Sequence, residues 1–203
     1  MVWNEIKKNI LRFEPYNERL RIKGKFNNLS IIRVHAPTEE KTDEEKEKFY
    51  EDLQIVHNKI PKHDIVIILG DLNAKIGKKD IYQDVAGKHT LHEISNWNGE
   101  WVCEYAIANN MKIISTYYQH KRIHKGTWIS PDGNTLNQID HVIIDASKKG
   151  VVEDVRTTQG WNCDSDHFLV KTVIKKLMRI QNKALKQKKW NQSNLQNPAK
   201  LNQ

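Results

Sequence analysis

Three short segments each place an acid or an imidazole at the end of an apolar run: Gly70-Asp71-Leu72-Asn73, Gln138-Ile139-Asp140-His141 and Ser165-Asp166-His167. Taken singly each reads as a turn, because Asp and Asn bond their own backbone there. Taken together they carry the groups that phosphate-ester hydrolysis needs. A phosphodiester is a poor, anionic electrophile. Cleaving it requires an activated water, a cation on the phosphoryl oxygens and donors for the developing charge. An imidazole oriented by a carboxylate is a general base, and a second carboxylate beside it offers hard oxygen to Mg²⁺.

The elements that must position these groups can be read from the hydrophobic pattern. Leu20 to Phe26 and Leu29 to Val34 alternate in polarity around Asn27-Asn28, which predicts a tight hairpin. Thr42 and Glu45 have capping-box spacing, and Phe49, Leu53, Val56 and Ile60 follow at helical intervals, so a helix is expected from Asp43 to about Lys59. Ile65-Val66-Ile67-Ile68-Leu69 is too apolar for a half-exposed strand and is expected at the centre of a sheet. A second helix is expected from Asn98 to Asn109, leading into a strand from Lys112 to Thr116. Thr127-Trp128-Ile129 and Ile139 to Ile144 suggest another hairpin about the turn Pro131-Asp132-Gly133-Asn134, and Phe168 to Ile174 a last strand. Many strands, few helices and no fixed repeat predict packed sheets covered by helices, an α/β sandwich.

Charge divides the chain. Eight basic residues (Lys175, Lys176, Arg179, Lys183, Lys186, Lys188, Lys189 and Lys200) and no acid lie from residue 175 onward, which accounts for the whole net charge of +8. The organisation expected is a partial domain over residues 1–177 and a basic, polar tail or linker over 178–203, able to hold phosphate backbones by counterion release. The first residues contain no apolar signal region, and no run is long enough to span a bilayer, so an intracellular protein, nuclear or cytoplasmic, is expected, with no membrane partner. Cys103 and Cys163 lack metal-site spacing and read as buried or inert thiols. His89, His92 and Glu93, and His120 with His124, read as structural or surface groups rather than metal ligands. The charged stretch from Glu39 to Glu51 reads as a solvated helix face, and Trp97 and Trp101 as packing residues rather than a base-stacking platform.

From about Leu20 to Leu177 the chain passes in order through Val34-His35-Ala36-Pro37-Thr38, Gly70-Asp71-Leu72-Asn73-Ala74, Gly126-Thr127-Trp128, Ile139-Asp140-His141 and Ser165-Asp166-His167. This ordered set resembles the endonuclease/exonuclease/phosphatase superfamily, in the form carried by non-LTR retrotransposons and craniofacial development protein 2-like proteins. The resemblance implies a DNase I-like fold: a two-layer β-sandwich flanked by helices. By matched position, His167 resembles the catalytic imidazole, Asp140 its orienting carboxylate, and Asp166 a metal ligand. Asp71 and Asn73 resemble the pair that positions the attacking water and the phosphate. Thr127 and Trp128 resemble the segment beside the nucleotide pocket, and His35 stands where many members have a tyrosine near the phosphate.

The resemblance also implies a divalent cofactor, Mg²⁺ or Mn²⁺, and DNA as partner. The family's early strand ending in Gln-Glu supplies a metal-binding glutamate, but the first Gln here is Gln54 and no Gln-Glu pair occurs. The chain therefore reads as starting partway through the fold, with weakened metal binding, feeble or no activity of its own, and a sheet surface left for a partner or a missing segment to cover. A non-catalytic DNA- or protein-binding remnant and a phosphomonoesterase remain as alternatives to the DNA phosphodiesterase.

Overall fold

The run Ile65-Val66-Ile67-Ile68-Leu69 is the hydrophobic centre from which the architecture follows. In the computed structural model, which describes residues 10–14, 19–158 and 165–175, all five of these residues lie in a strand flanked on both sides. The expected tail, residues 178–203, and Cys163 lie outside the described residues. In chain order the described elements are β1 (Ile10–Glu14), β2 (Arg19–Ile22), β3 (Leu29–His35), α1 (Asp43–Asn58), β4 (Ile65–Asp71), α2 (Trp97–Ala108) and β5 (Met111–Ile113). They continue with β6 (Trp128–Ile129), β7 (Leu136–Asn137), β8 (Asp140–Asp145), β9 (Val152–Thr158) and β10 (Leu169–Ile174), besides short 3-10 turns.

The main sheet has the order β1-β2-β3-β4-β8-β5, while β9 with β10 and β6 with β7 form separate two-stranded ribbons. β3 and β4 are parallel and are joined through α1; the other neighbours in the main sheet are antiparallel. Side chains alternate across the pleat. Ile32, Val34, Val66, Ile68 and Ile143 face α1 and α2, where Tyr50, Leu53, Val102, Cys103 and Ala106 complete one core. Leu29, Ile65, Ile67, Val142 and Ile144 face the opposite way and pack with Val152 and Val155 of β9 and Val170 of β10. Ile68 and Ile144 are fully buried, and each such side chain stabilises the fold by roughly 1.5–3 kcal/mol. The result is a sheet-dominated α/β fold with helices on one face and a second β layer on the other, in agreement with the expected class.

Local chemistry fixes the ends. The Thr42 hydroxyl accepts the Glu45 N–H at 3.3 Å while the Glu45 carboxylate accepts the Thr42 N–H at 3.2 Å, so the expected capping box opens α1. Lys46 departs from the solvated face expected of this helix: it is buried, with its ammonium on Glu39 O at 2.9 Å. Asn96 caps α2 by accepting the Gly99 N–H, which starts the helix one residue before the expected Asn98. Asp64, just ahead of β4, takes the Arg21 guanidinium at 2.6 and 2.9 Å and the Ser30 hydroxyl at 2.8 Å. Burial pushes this carboxyl up, but the Arg21 and Ser30 hydrogen bonds prevail and hold it below the usual carboxylate range.

Three local expectations need correction. β2 stops at Ile22, which pairs with Leu29, so a wider loop replaces the tight Asn27-Asn28 turn. Asn28 there receives the Gly24 N–H on its side chain and the Ile65 N–H on its carbonyl, and so serves the loop and the next strand instead. The strand from Lys112 to Thr116 is shorter, because Ile114 to Thr116 turn into a 3-10 helix in which Thr116 bonds back to Ile113 O. Finally, Trp128 and Ile129 pair with Leu136 and Asn137, not with the run Ile139 to Ile144, which is instead claimed by the main sheet between β4 and β5.

Candidate active site

The register of the main sheet puts three expected site residues in one row. His35 lies opposite Asp71 across β3 and β4, and Asp71 lies opposite Asp140 across β4 and β8. By alternation all three point to the face that carries the β9–β10 layer. Gly70 makes this possible: its φ is +145°, and a Cβ there would lie 2.0 Å from Val34 O, so only glycine lets β3 and β4 stay paired up to Asp71. Beyond the strand ends, the Ala36 N–H donates to Asp71 O at 2.8 Å and the Leu72 N–H to Ile139 O at 3.1 Å. Asp71 Oδ1 then accepts the Asn73 N–H at 2.9 Å, with Asn73 in the left-handed region at φ 48°. The Asn73 amide donates to Ala36 O at 2.9 Å. Asp71 is thereby fixed between the two loops.

His167 arrives from a distant part of the chain. Its segment bridges to Trp128, with the Ile129 N–H on Asp166 O at 3.0 Å and the Phe168 N–H on Thr127 O at 2.7 Å. This docking sets His167 Nδ1 3.1 Å from Asp140 Oδ2 and His167 Nε2 3.9 Å from Asp71 Oδ2. With Nδ1–H donating to Asp140, the neutral imidazole presents its Nε2 lone pair beside Asp71. His35 Nδ1 lies 3.5 Å from the same Asp71 oxygen, and its side chain is largely exposed. Burial raises the Asp140 carboxyl above its ordinary value against the pull of Thr127 and His167, and neighbouring Asp71 adds to the rise.

The structure thus brings His35, Asp71, Asp140 and His167 together, with Asn73 beside them. Thr127 is buried beneath this group, its hydroxyl accepting the N–H groups of Ile139 and Asp140, both at 3.0 Å, so it holds Asp140 in place rather than facing solvent. Trp128 and Asp166 form a pair of their own, the indole N–H donating to Asp166 Oδ2 at 2.7 Å. Among the described residues, no three acidic, imidazole or thiolate groups converge closely enough to hold a metal ion. Mg²⁺ demands near-octahedral oxygen at short range. The described donors do not fit a complete metal cage.

Some supporting residues escaped the reading of the sequence. Asn96 and Asn98 both donate side-chain N–H groups to Asn73 O, at 3.0 and 3.2 Å, and buried Asn98 also reaches Pro37 O at 3.0 Å. The signal was the Asn-Trp-Asn-Gly run ahead of a helix, which can be read only as a cap without knowing what lies beyond it. His141, adjacent to Asp140, points to the helix side: it lies between Ala74 O at 2.8 Å and the Ser115 hydroxyl at 3.0 Å, and burial pushes it down to about 4. His92 accepts the Gln138 N–H at 3.1 Å and is pushed down to about 4 by burial, with Lys75 and Arg122 adding to the shift. His120 bonds Asp154 at 2.6 Å, and His124 faces Thr157 O at 3.3 Å. Cys103 is buried, which raises its thiol to about 12. Trp101 stacks on Tyr50 at 5.4 Å between centroids, as a packing residue should. Trp97, the first residue of α2, is 64% exposed and so is not the packing residue expected.

No family model matches the chain. Craniofacial development protein 2 of Bos taurus is 36% identical over 157 residues, covering 76% of this chain. The alignment takes in 26% of that protein, so the chain spans about a quarter of the length of the curated relative. Among solved structures, the 3'-5' exonuclease NExo from Neisseria meningitidis superposes with a TM-score of 0.53 and 18% identity, covering 81% of this chain and 68% of its own. The endonuclease domain of TRAS1, a telomere-specific non-LTR retrotransposon, gives a TM-score of 0.51 and 15% identity, covering 80% and 63% respectively.

Proposed function

Because the chain belongs to the family of craniofacial development protein 2 and has the endonuclease/exonuclease/phosphatase fold, we propose that its active site hydrolyses a phosphodiester of DNA. One observation carries this reading: His167 is held by Asp140 through Nδ1 while Nε2 faces Asp71. In the proposed reaction Nε2 takes a proton from a water that Asp71 and Asn73 orient. The water oxygen bonds to phosphorus as the bond to the leaving sugar oxygen breaks, a solvent proton completes the departing hydroxyl, and Asp140 stabilises the imidazolium until it returns its proton to solvent. Exposed His35 lies on the same face and donates to a phosphoryl oxygen.

A divalent cation would add charge stabilisation on the phosphoryl oxygens. Asp166, with one carboxylate oxygen on Trp128, is the residue we assign to such an ion. The incomplete donor set among the described residues favours a second reading, a DNA-binding module without catalysis. In either case the basic residues of 178–203, which we treat as a tail or linker separate from the partial domain of residues 1–177, add with Lys175 and Lys176 a sequence-independent hold on the backbone. No helix among the described residues is long and apolar enough to cross a membrane.

The test is nicking of supercoiled plasmid with Mg²⁺ or Mn²⁺. Under the first reading open circles accumulate, and His167→Ala slows them by about 100-fold or more, the usual scale for losing a general base. Retention of plasmid without nicking supports the second reading. Hydrolysis of p-nitrophenyl phosphate without nicking would identify a phosphomonoesterase instead.

A further inference from the structure

Like Phe26, Trp97 is an aromatic that the fold leaves outside, and the backbone around Trp97 is tied down by hydrogen bonds. Asn96, before it, accepts the Lys75 N–H at 2.7 Å and donates its own N–H to Lys75 O at 3.1 Å. Its amide also donates to Glu39 at 2.6 Å and to Asn73 O at 3.0 Å. The Trp97 N–H donates to Glu39 at 3.1 Å. The preceding loop is tied down equally, with the Lys78 N–H on Glu93 O at 3.1 Å and the Gly77 N–H on the Ser95 hydroxyl at 2.9 Å. On this fixed backbone Ile94 and Trp97 stand 76% and 64% exposed. Glu39 already occupies the amides at the start of α2, so that helix end offers nothing to an anion. Lys75, however, makes no ion pair among the described residues. Lys75 and Arg122 both lie near His92, so the margin offers cationic groups to a phosphate alongside the carboxylate of Glu39, whose hydrogen bonds hold the start of α2.

We propose that Trp97 and Lys75 form a nucleotide ledge beside the active site, where an unstacked base lies on the indole and its phosphate meets the ammonium. The ledge adjoins Asn73 directly, through Asn96, so its occupant is the nucleotide flanking the reacting phosphate. A fixed aromatic loses little conformational freedom on binding, and every base offers a π face, so this contact favours single-stranded or splayed nucleic acid without choosing a sequence. The proposal rests on the polynucleotide reading of the site, but not on turnover.

Binding of a fluorescein-labelled oligothymidylate, read by anisotropy in EDTA with the full chain, tests it. Trp97→Ala should weaken binding by about tenfold. Trp97→Phe should restore most of the affinity, and Ile107→Ala, an exposed apolar residue on the outer side of α2, should leave it unchanged. Lys75→Ala should lower the slope of log affinity against log salt by about 0.7, one phosphate contact on a single strand. Unchanged affinity in Trp97→Ala overturns the proposal and leaves the ledge to a protein partner. Equal weakening by Trp97→Phe and Trp97→Ala overturns it as well, because stacking is then not what the indole provides. Since no turnover is needed, a chain that binds through Trp97 but fails to nick DNA refutes only the hydrolase. One that nicks and binds normally without Trp97 refutes only the ledge.

Discussion

Replacing Gly70 with alanine asks how much the folded state spends on delivering Asp71. At φ +145° any L side chain is strained, at about 1–3 kcal/mol. The new Cβ would also lie 2.0 Å from Val34 O and 3.0 Å from Val34 N and C, so the paired strands must separate by roughly 1 Å or more. That opening breaks the adjacent hydrogen bond from Ala36 N–H to Asp71 O, now 2.8 Å, at a net 0.5–1.5 kcal/mol, about the worth of one such bond. Together with the residual contact strain, Gly70→Ala should destabilise the fold by about 3–5 kcal/mol, a large part of a typical domain's stability. The assay is urea unfolding with linear extrapolation, with Gly133→Ala beside it. Gly133 has φ +74°, and a methyl group on its Cα would meet nothing within 4 Å, so it isolates the conformational part, about 1 kcal/mol. A loss at Gly70 no greater than at Gly133 would refute the argument that strand contact, rather than backbone preference, demands glycine there.

Two further predictions concern protons. His141 is fully buried at about 4, below the ordinary histidine value, so protons favour the unfolded chain: its contribution is present above about 6.5 and is lost as pH falls toward 4. Unfolding stability should drop by about 2 kcal/mol between pH 7 and pH 5 on this account, and His141→Gln should flatten that slope in parallel urea titrations. Asp140 shifts the other way. Its carboxyl is raised by burial, so the folded state is penalised as pH rises through the native value, and Asp140→Asn should melt no lower than the unchanged chain at neutral pH. The same variant keeps an acceptor for His167 but loses the charge that steadies the imidazolium, so plasmid nicking should fall by about 100-fold. A stability loss without a rate loss would reassign Asp140 to the core.

The sequence was most legible where one residue carries its own reason. The β-branched run at Ile65 to Leu69 could only be an interior strand, and Thr42 with Glu45 marked the start of α1. The chemistry-bearing residues were found because Asp71 ends a strand, Asp140 opens one and His167 stands just ahead of another. Their mutual distances were not legible, since these depend on register between strands far apart in sequence. Strand partners were not legible either: Ile139 to Ile144 looks equally ready to pair with Trp128 or with the main sheet, and only the burial on both faces of β8 decides. Trp97 and Trp101 differ by one helical turn in sequence, yet one stacks on Tyr50 and the other faces solvent. Their spacing of four puts both on one side of α2, so the pattern predicts the same burial for each and cannot show that the first turn leaves its tryptophan exposed.

The place of β8 has a kinetic consequence. It lies between β4 and β5, yet the chain presents both of those strands before it. During synthesis the sheet must therefore wait with a vacant slot, its neighbours holding unmatched N–H and C=O groups until residue 140 and beyond emerge. Pairing across such sequence separations is slow, and open strand edges are sticky meanwhile. Asp140 is the first residue of the strand that fills the slot, so the carboxylate we propose to orient His167 arrives only when the last gap closes. A nascent or misassembled chain cannot hold His167 against Asp140, and chaperone occupancy should be decided in the interval between completion of β5 and insertion of β8.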